Sequence, residues 1–157
     1  MSNMEQNNEE LLSMCKQAYY DILLEHISRT PPDYSLLLEL FGEIKYKLTH
    51  ILKNGSSLRL EIEERLDNKY FEQMIQHGAF SQKEFTELVE YTFTKCMQLG
   101  SAARDHHTNM EKNRILEYMN EDNASFAYGV VLYVKSINEC LDLMYEDLHK
   151  YLNEIEK

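Results

Sequence analysis

Little in this chain lets it turn: five glycines and two prolines serve 157 residues. That scarcity excludes a fold rich in tight turns and leaves long helices to dominate. Cysteine is sparse too. Cys15, Cys96 and Cys140 make an odd count, fall far apart, and each stands inside a periodic apolar segment where a small sulfur-bearing side chain packs well. Buried free thiols in a reducing compartment fit this better than a disulfide framework. The first ten residues, MSNMEQNNEE, lack the basic start and apolar core of a signal peptide, and no run of about 18 apolar residues occurs. The expectation is a soluble, cytoplasmic protein with no membrane insertion. Basic charge is also short: 16 Lys and Arg against 27 Asp and Glu give a net charge of -11. Such a surface repels phosphate backbones and anionic lipid, so the expected partner is no nucleic acid but a protein with a basic or mixed surface.

What is present is helical periodicity. With 43% hydrophobic residues the chain can fill one ordinary core, burying roughly 70% of the surface its unfolded form exposes. Residues 1–10 are expected to be frayed or disordered and 11–157 to form a single domain. Leu11, Cys15, Ala18, Ile22 and Ile27 mark a first helix that ends before "SRTPPDY". Asp33 can cap a second, with Leu37, Phe41, Ile44, Leu48 and Ile51 on one face. Asn54-Gly55 closes it, and Ser57 can cap a third segment running Leu58, Ile62 and Leu66 before slipping to Tyr70, Met74 and Ile75. Gly78 stops that segment. Ser81 with Glu84 forms a capping box for a fourth helix bearing Phe85, Leu88, Thr92, Cys96 and Leu99. Gly100 and Ser101 interrupt the stripe, and residues 104–120 either continue that helix or fold back from it. The last segment repeats apolar residues from Phe126 to Tyr151; about 30 residues of helix span about 45 Å. No alternating strand pattern competes. The predicted fold is all-α, an elongated and mostly antiparallel bundle of five or six helices.

The residues that could carry chemistry do not assemble into a motif. His26, His50 and His77 fall at predicted helix ends, where a partly positive ring suits the terminal carbonyls. His106 and His107 are neighbours and diverge by about 100° on a helix. Glu146 and His149 have the Glu-x-x-His spacing of helical di-iron sites, but no second copy exists to complete one. There is no Gly-x-Ser-x-Gly elbow, phosphate loop or Cys-x-x-Cys pair. No catalytic residue, metal ligand or cofactor is therefore predicted. Eleven tyrosines are the unusual feature; Tyr19, Tyr20 and Tyr133 fit either a core margin or a partner-binding face, since each ring has an apolar body and a polar tip.

The stretch "MQLGSAARDHH", Met97 to His107, joins poor interior helix residues to an Arg-Asp pair. A chain bending at Gly100-Ser101 can turn Arg104 inward. The expected acceptor is Asp67, with Asp105 capping or bracing the bend; the alternative is a solvated arginine. Arg65 to Asp105 as a whole resembles the t-complex protein eleven family. Leu66-Asp67 matches the pair that starts a helix there, Gly78 the glycine that ends it, and Leu99, Arg104 and Asp105 the end of a run like Leu-Cys-Ala-Pro-x-Arg-Asp. Gly100, Ser101 and Ala102 depart from that run. "PDYSLLLELFGEIKYKLTHIL", Pro32 to Leu52, is similar to the family's Pro-Asp-Tyr segment, so the likeness spans about residues 15 to 110.

The resemblance implies no catalytic activity or cofactor. Family members are several hundred residues long and are linked to cyclic-AMP-dependent kinase signalling and sperm function through protein contacts. It implies a regulatory or adaptor role, in which a shortened relative could also occupy a longer protein's partner. Two readings compete with it: a small metal-dependent or other hydrolase with a site between helices, and a structural homo-oligomer, most simply a homodimer, built on the Phe126–Tyr151 stripe.

Overall fold

The computed structural model describes residues 2–156, and its regular elements are all helical. In chain order they are α1 (Asn3–Ser28), α2 (Ser35–Thr49), α3 (Ser57–Arg65), α4 (Asn68–Gln76), α5 (Gln82–Leu99), α6 (Asp105–Met119) and α7 (Phe126–Ile155), with one 3-10 turn, Ala102–Arg104, joining α5 to α6. This is the expected all-α bundle. The third predicted helix is divided into α3 and α4 at Leu66-Asp67, where the apolar pattern slips. Asp67 accepts hydrogen bonds from the backbone of Lys69 (2.9 Å) and Tyr70 (3.4 Å), starting a new helix.

Helix ends follow local chemistry. Gly78, at φ +66°, ends α4: its N–H donates to the Ile75 carbonyl and that of Ala79 to the Met74 carbonyl, a pairing that needs a left-handed residue between them. Ser81 and Glu84 form the predicted capping box of α5. His26 lies in the last turn of α1, while His50 and His77 are the capping residues that end α2 and α4. The second helix starts two residues beyond the predicted cap. Asp33 instead accepts from the backbone N–H and hydroxyl of Ser35, at 3.0 and 2.7 Å.

The core is organised around α7. Val130, Tyr133, Val134, Ile137 and Leu141 are fully buried, and α1, α2, α5 and α6 all pack against this one helix while α3 and α4 lie on α2. Each large apolar side chain removed from water there contributes about 1.5–3 kcal/mol. Gly129 lets α6 come close, since a β-carbon at that position would collide with the sulfur of Met119. Polar ties join helices remote in sequence: Lys47 reaches Asp142 at 3.1 Å, and the Tyr145 hydroxyl donates to the Lys47 carbonyl at 2.7 Å. Lys95 meets Glu61 at 2.9 Å, so α5 is pinned to α3.

The start of the chain differs from expectation twice. Residues 3–10 are helical where fraying was expected, because Ser2 and Glu5 make a reciprocal capping box. The predicted core stripe of α1 also faces the wrong way. Leu11, Cys15, Ala18 and Ile22 are exposed, and Leu23 and Ile27 are the residues buried. From Ile22 to Ile27 the pattern steps five residues, about 140° around the helix, so the two ends of the supposed stripe belong to different faces. Cys15 is exposed with it, while Cys96 and Cys140 are buried as expected.

Candidate functional site

A corner of the chain lies where the small residues end α5. Gly100 is extended, its N–H donating to the Cys96 carbonyl at 2.9 Å; Ser101 then caps the 3-10 turn by accepting from the Ala103 N–H at 3.3 Å. After that turn α6 folds back along α5 and packs against both α5 and α7. Residues 104–120 therefore do not continue the preceding helix.

Arg104, at the end of the turn, donates through Nε and one terminal nitrogen to the two carboxylate oxygens of Asp147 on α7, each at 3.0 Å. This fork-to-carboxylate geometry fixes orientation as well as distance. The hydrogen bond from Arg104 and its positive charge hold the Asp147 carboxyl below its ordinary pKa and keep the guanidinium charged. The expected partner, Asp67, is instead spent on capping α4. Nor is Arg104 buried: its side chain is 38% exposed. Asp105 does not cap the bend either, a task that falls to Ser101. It stands in the first turn of α6, where a carboxylate suits the positive helix end.

Beside the ion pair opens a groove of about 450 Å³ between the corner and the last turns of α7. Ile51, Leu99, Met144 and Leu148 give it apolar walls; Ser101, Lys150 and Glu154 are exposed at its edge. Tyr151, which also lines it, and Ile155 beyond, each 60% exposed, continue an apolar face along α7. No sequence signal near Arg104 points to Asp147, one of 27 acidic residues, so this arrangement was illegible before α6 was known to fold back.

The predicted tyrosines separate. Tyr133 is wholly buried, its hydroxyl 2.8 Å from Thr92 Oγ1, with Phe85 and Phe93 edge-on to its ring. It is a core residue and no partner contact. Burial raises its pKa. Tyr20 is half-buried between α1 and α7, and Tyr19, at the exposed margin, meets it edge to face at 6.0 Å. Burial raises the pKa of both, aided for Tyr19 by Glu43 and for Tyr20 by Glu139.

Among the described residues no three His, Cys, Asp or Glu side chains converge as a metal would need. Glu146 pairs with Lys150 at 3.1 Å. Burial pushes the Cys96 thiol up to about 12 and the Cys140 thiol up to about 11, which silences them as nucleophiles near neutrality. No described helix is long and apolar enough to cross a membrane.

These features define an all-helical bundle with an ion-paired corner and a groove of mixed apolar and polar lining beside it. The chain belongs to the T-complex protein 11 family, whose model, described as T-complex protein 11, matches residues 2–152. It is 37% identical over 97 residues to the human T-complex protein 11 homolog, covering 61% of this chain and 19% of that protein. The rat T-complex protein 11 homolog is 32% identical over 113 residues, or 71% of this chain and 19% of the relative. Human T-complex protein 11-like X-linked protein 1 is 40% identical over 89 residues, or 56% and 17%. The matched stretch is thus under a fifth of these relatives' length. No solved structure gives a significant match.

Proposed function

We propose that the chain is a non-catalytic protein-interaction module, acting as an adaptor in signalling, and that the groove beside Arg104 is one of its docking surfaces. The observation that carries this reading is the composition of that groove: apolar walls of Ile51, Leu99, Met144 and Leu148, edged by Ser101, Lys150 and Glu154. An apolar centre within a polar margin is the anatomy of a protein interface. Quieted thiols and divergent histidines offer little to a reaction, and the net charge of -11 favours a partner with a basic or mixed surface. The adaptor reading places the protein in the cytoplasm.

The test is a partner recovered with the parent protein and lost with Leu148→Glu at an unchanged far-ultraviolet spectrum. Retention of every recovered partner by that variant would remove the groove from the account. A second reading, a homodimer, loses most of the Phe126–Tyr151 stripe, since Val130 to Met144 fill this chain's own core, and is left with the exposed end of α7 at Tyr151 and Ile155. Light scattering across a tenfold dilution decides it, since a constant monomer mass sinks the dimer.

A further inference from the structure

Helix α1 is amphipathic in the reverse sense to a helix lying on a core. Its inward side meets α7 with polar groups: Gln17 accepts from Lys135, and Ser13, Lys16 and Tyr20 line a polar cleft with Asn138, Glu139 and Asp142. Only Leu23 and Ile27, near its end, are buried. At about 100° per residue, Met4, Leu11, Cys15, Ala18 and Ile22 lie within roughly 40° of a line on the opposite side from Tyr20. All five face solvent, with Met4 74%, Leu11 60% and Ile22 46% exposed. The spacing of seven, four, three and four is that of a seam that receives another helix. It runs about 27 Å from Met4 to Ile22.

The charges beside the seam select its occupant. Met14, Asp21 and Glu25 border one edge and Leu12 and Tyr19 the other, with Glu10 and Glu5 farther round on those two sides and Glu25 paired with Arg29 at 2.9 Å. Lys16 is the only Lys or Arg of α1, and it turns toward α7. A second copy would bring the same acidic residues and its own charge of -11, with Arg29 already paired to Glu25. Anionic lipid fits no better, because helices that lie on membranes carry Lys and Arg beside the apolar face.

We propose that the outward face of α1 is a docking site for an amphipathic helix of another protein, one whose apolar ridge is flanked by Lys or Arg. The surface is separate from the groove at Arg104, and its occupant is recognised by ridge and flank together.

Cys15 is a built-in reporter, being exposed within the seam while Cys96 and Cys140 are buried. The experiment follows the alkylation rate of Cys15 in the native chain with three cysteine-free helical peptides of about 20 residues, long enough to hold helix in water. One has a Leu ridge with Lys flanks, one the same ridge with Glu flanks, and one Lys flanks without a ridge. The first should slow alkylation at least tenfold at saturation (~90% occupancy or more), more weakly as salt rises, and the other two should not. Leu11→Asp and Ile22→Asp, at exposed positions, should each weaken that peptide by about tenfold or more at an unchanged melting temperature. Glu10→Lys with Asp21→Lys should shift preference toward the Glu-flanked peptide. Equal protection by both ridged peptides, or by none, overturns the proposal. So does protection that grows with the protein's own concentration, which assigns the seam to a second copy, or protection by vesicles of anionic lipid.

Discussion

Arg104 and Asp147, 43 residues apart in sequence, meet through two hydrogen bonds of 3.0 Å each. The pair joins the turn that reverses the chain to the helix around which the bundle is built. Because a fork on a carboxylate must hold one orientation, it fixes the angle at which α6 leaves the corner.

The first prediction concerns pH. Asp147 has a lowered pKa in the folded chain, so its pairing contributes fully above the ordinary carboxyl value of about 4 and is lost as pH falls through the lower folded value. Urea midpoints of the parent and Arg104→Ala should differ by a constant amount from pH 7 to about 5 and converge below about 4. Asp147→Asn should lose the same interaction, and the double variant should be no worse than either single one. Additive losses, or a parent-to-variant gap that ignores pH, would show the pair to be idle.

The break between α3 and α4 rests on Asp67 and its stop on Gly78. Asp67→Ala removes the acceptor for two backbone N–H groups and should cost about 1 kcal/mol. Gly78→Ala places a β-carbon at φ +66° and should cost about 1–2 kcal/mol. The two act at opposite ends of α4 and share no partner, so chemical denaturation of the double variant should give the sum. A neutral Gly78→Ala would mean that the helix end adjusts to a right-handed residue.

How far the sequence could be read depended on whether the deciding interaction was local. The capping box of Ser81 and Glu84, the stop at Gly78 and the long stripe of α7 all involve residues within a few turns of one another, and each was legible. Leu66-Asp67 was visible as a slip in the apolar pattern, but nothing short-range showed that it was a break rather than a bend. Arg104 was assigned an acidic partner correctly in kind and wrongly in place, since Asp67 and Asp147 are equally acidic and only the direction of α6 chooses between them. The α1 stripe misled for a related reason. Periodicity reports that a helix has an apolar face, and it cannot say whether this chain or another covers it. That Tyr133 is core and Tyr19 marginal likewise depends on which helices surround α7.

The three thiols can be tested first in the parent protein. Native protein at pH 8 should react with one equivalent of a small alkylating reagent, at Cys15, and unfolded protein with three. Cys96 and Cys140, pushed up to about 12 and about 11 by burial, stay protonated when folded. Their unfolded counterparts ionise near about 8.5. A raised folded pKa means that stability is held below the unfolded value and declines as pH rises from about 8.5 toward about 11. Cys96→Val should flatten that decline in thermal melts. Rapid alkylation of all three in the native state would contradict the packing of α5 on α7.

The last prediction separates the two hydroxyls at the centre of the core. Thr92 Oγ1 donates to the Leu88 carbonyl at 2.9 Å, which leaves the Tyr133 hydroxyl, 2.8 Å away, as donor to Thr92. Both side chains are fully buried. Tyr133→Phe removes the donor while Thr92 keeps its own acceptor, so the loss should be about 0.5–1.5 kcal/mol. Thr92→Val preserves shape but strands the tyrosine hydroxyl among Phe85 and Phe93 with no acceptor, and should cost about 1–3 kcal/mol. With both changes no polar atom of the pair is left unpaired, and the double variant should be more stable than Thr92→Val alone. Urea denaturation of the four proteins reads this directly through the sign of the coupling. A double variant less stable than Thr92→Val would mean that the hydroxyl pair is bonded differently, with Thr92 donating to the tyrosine rather than to its own helix.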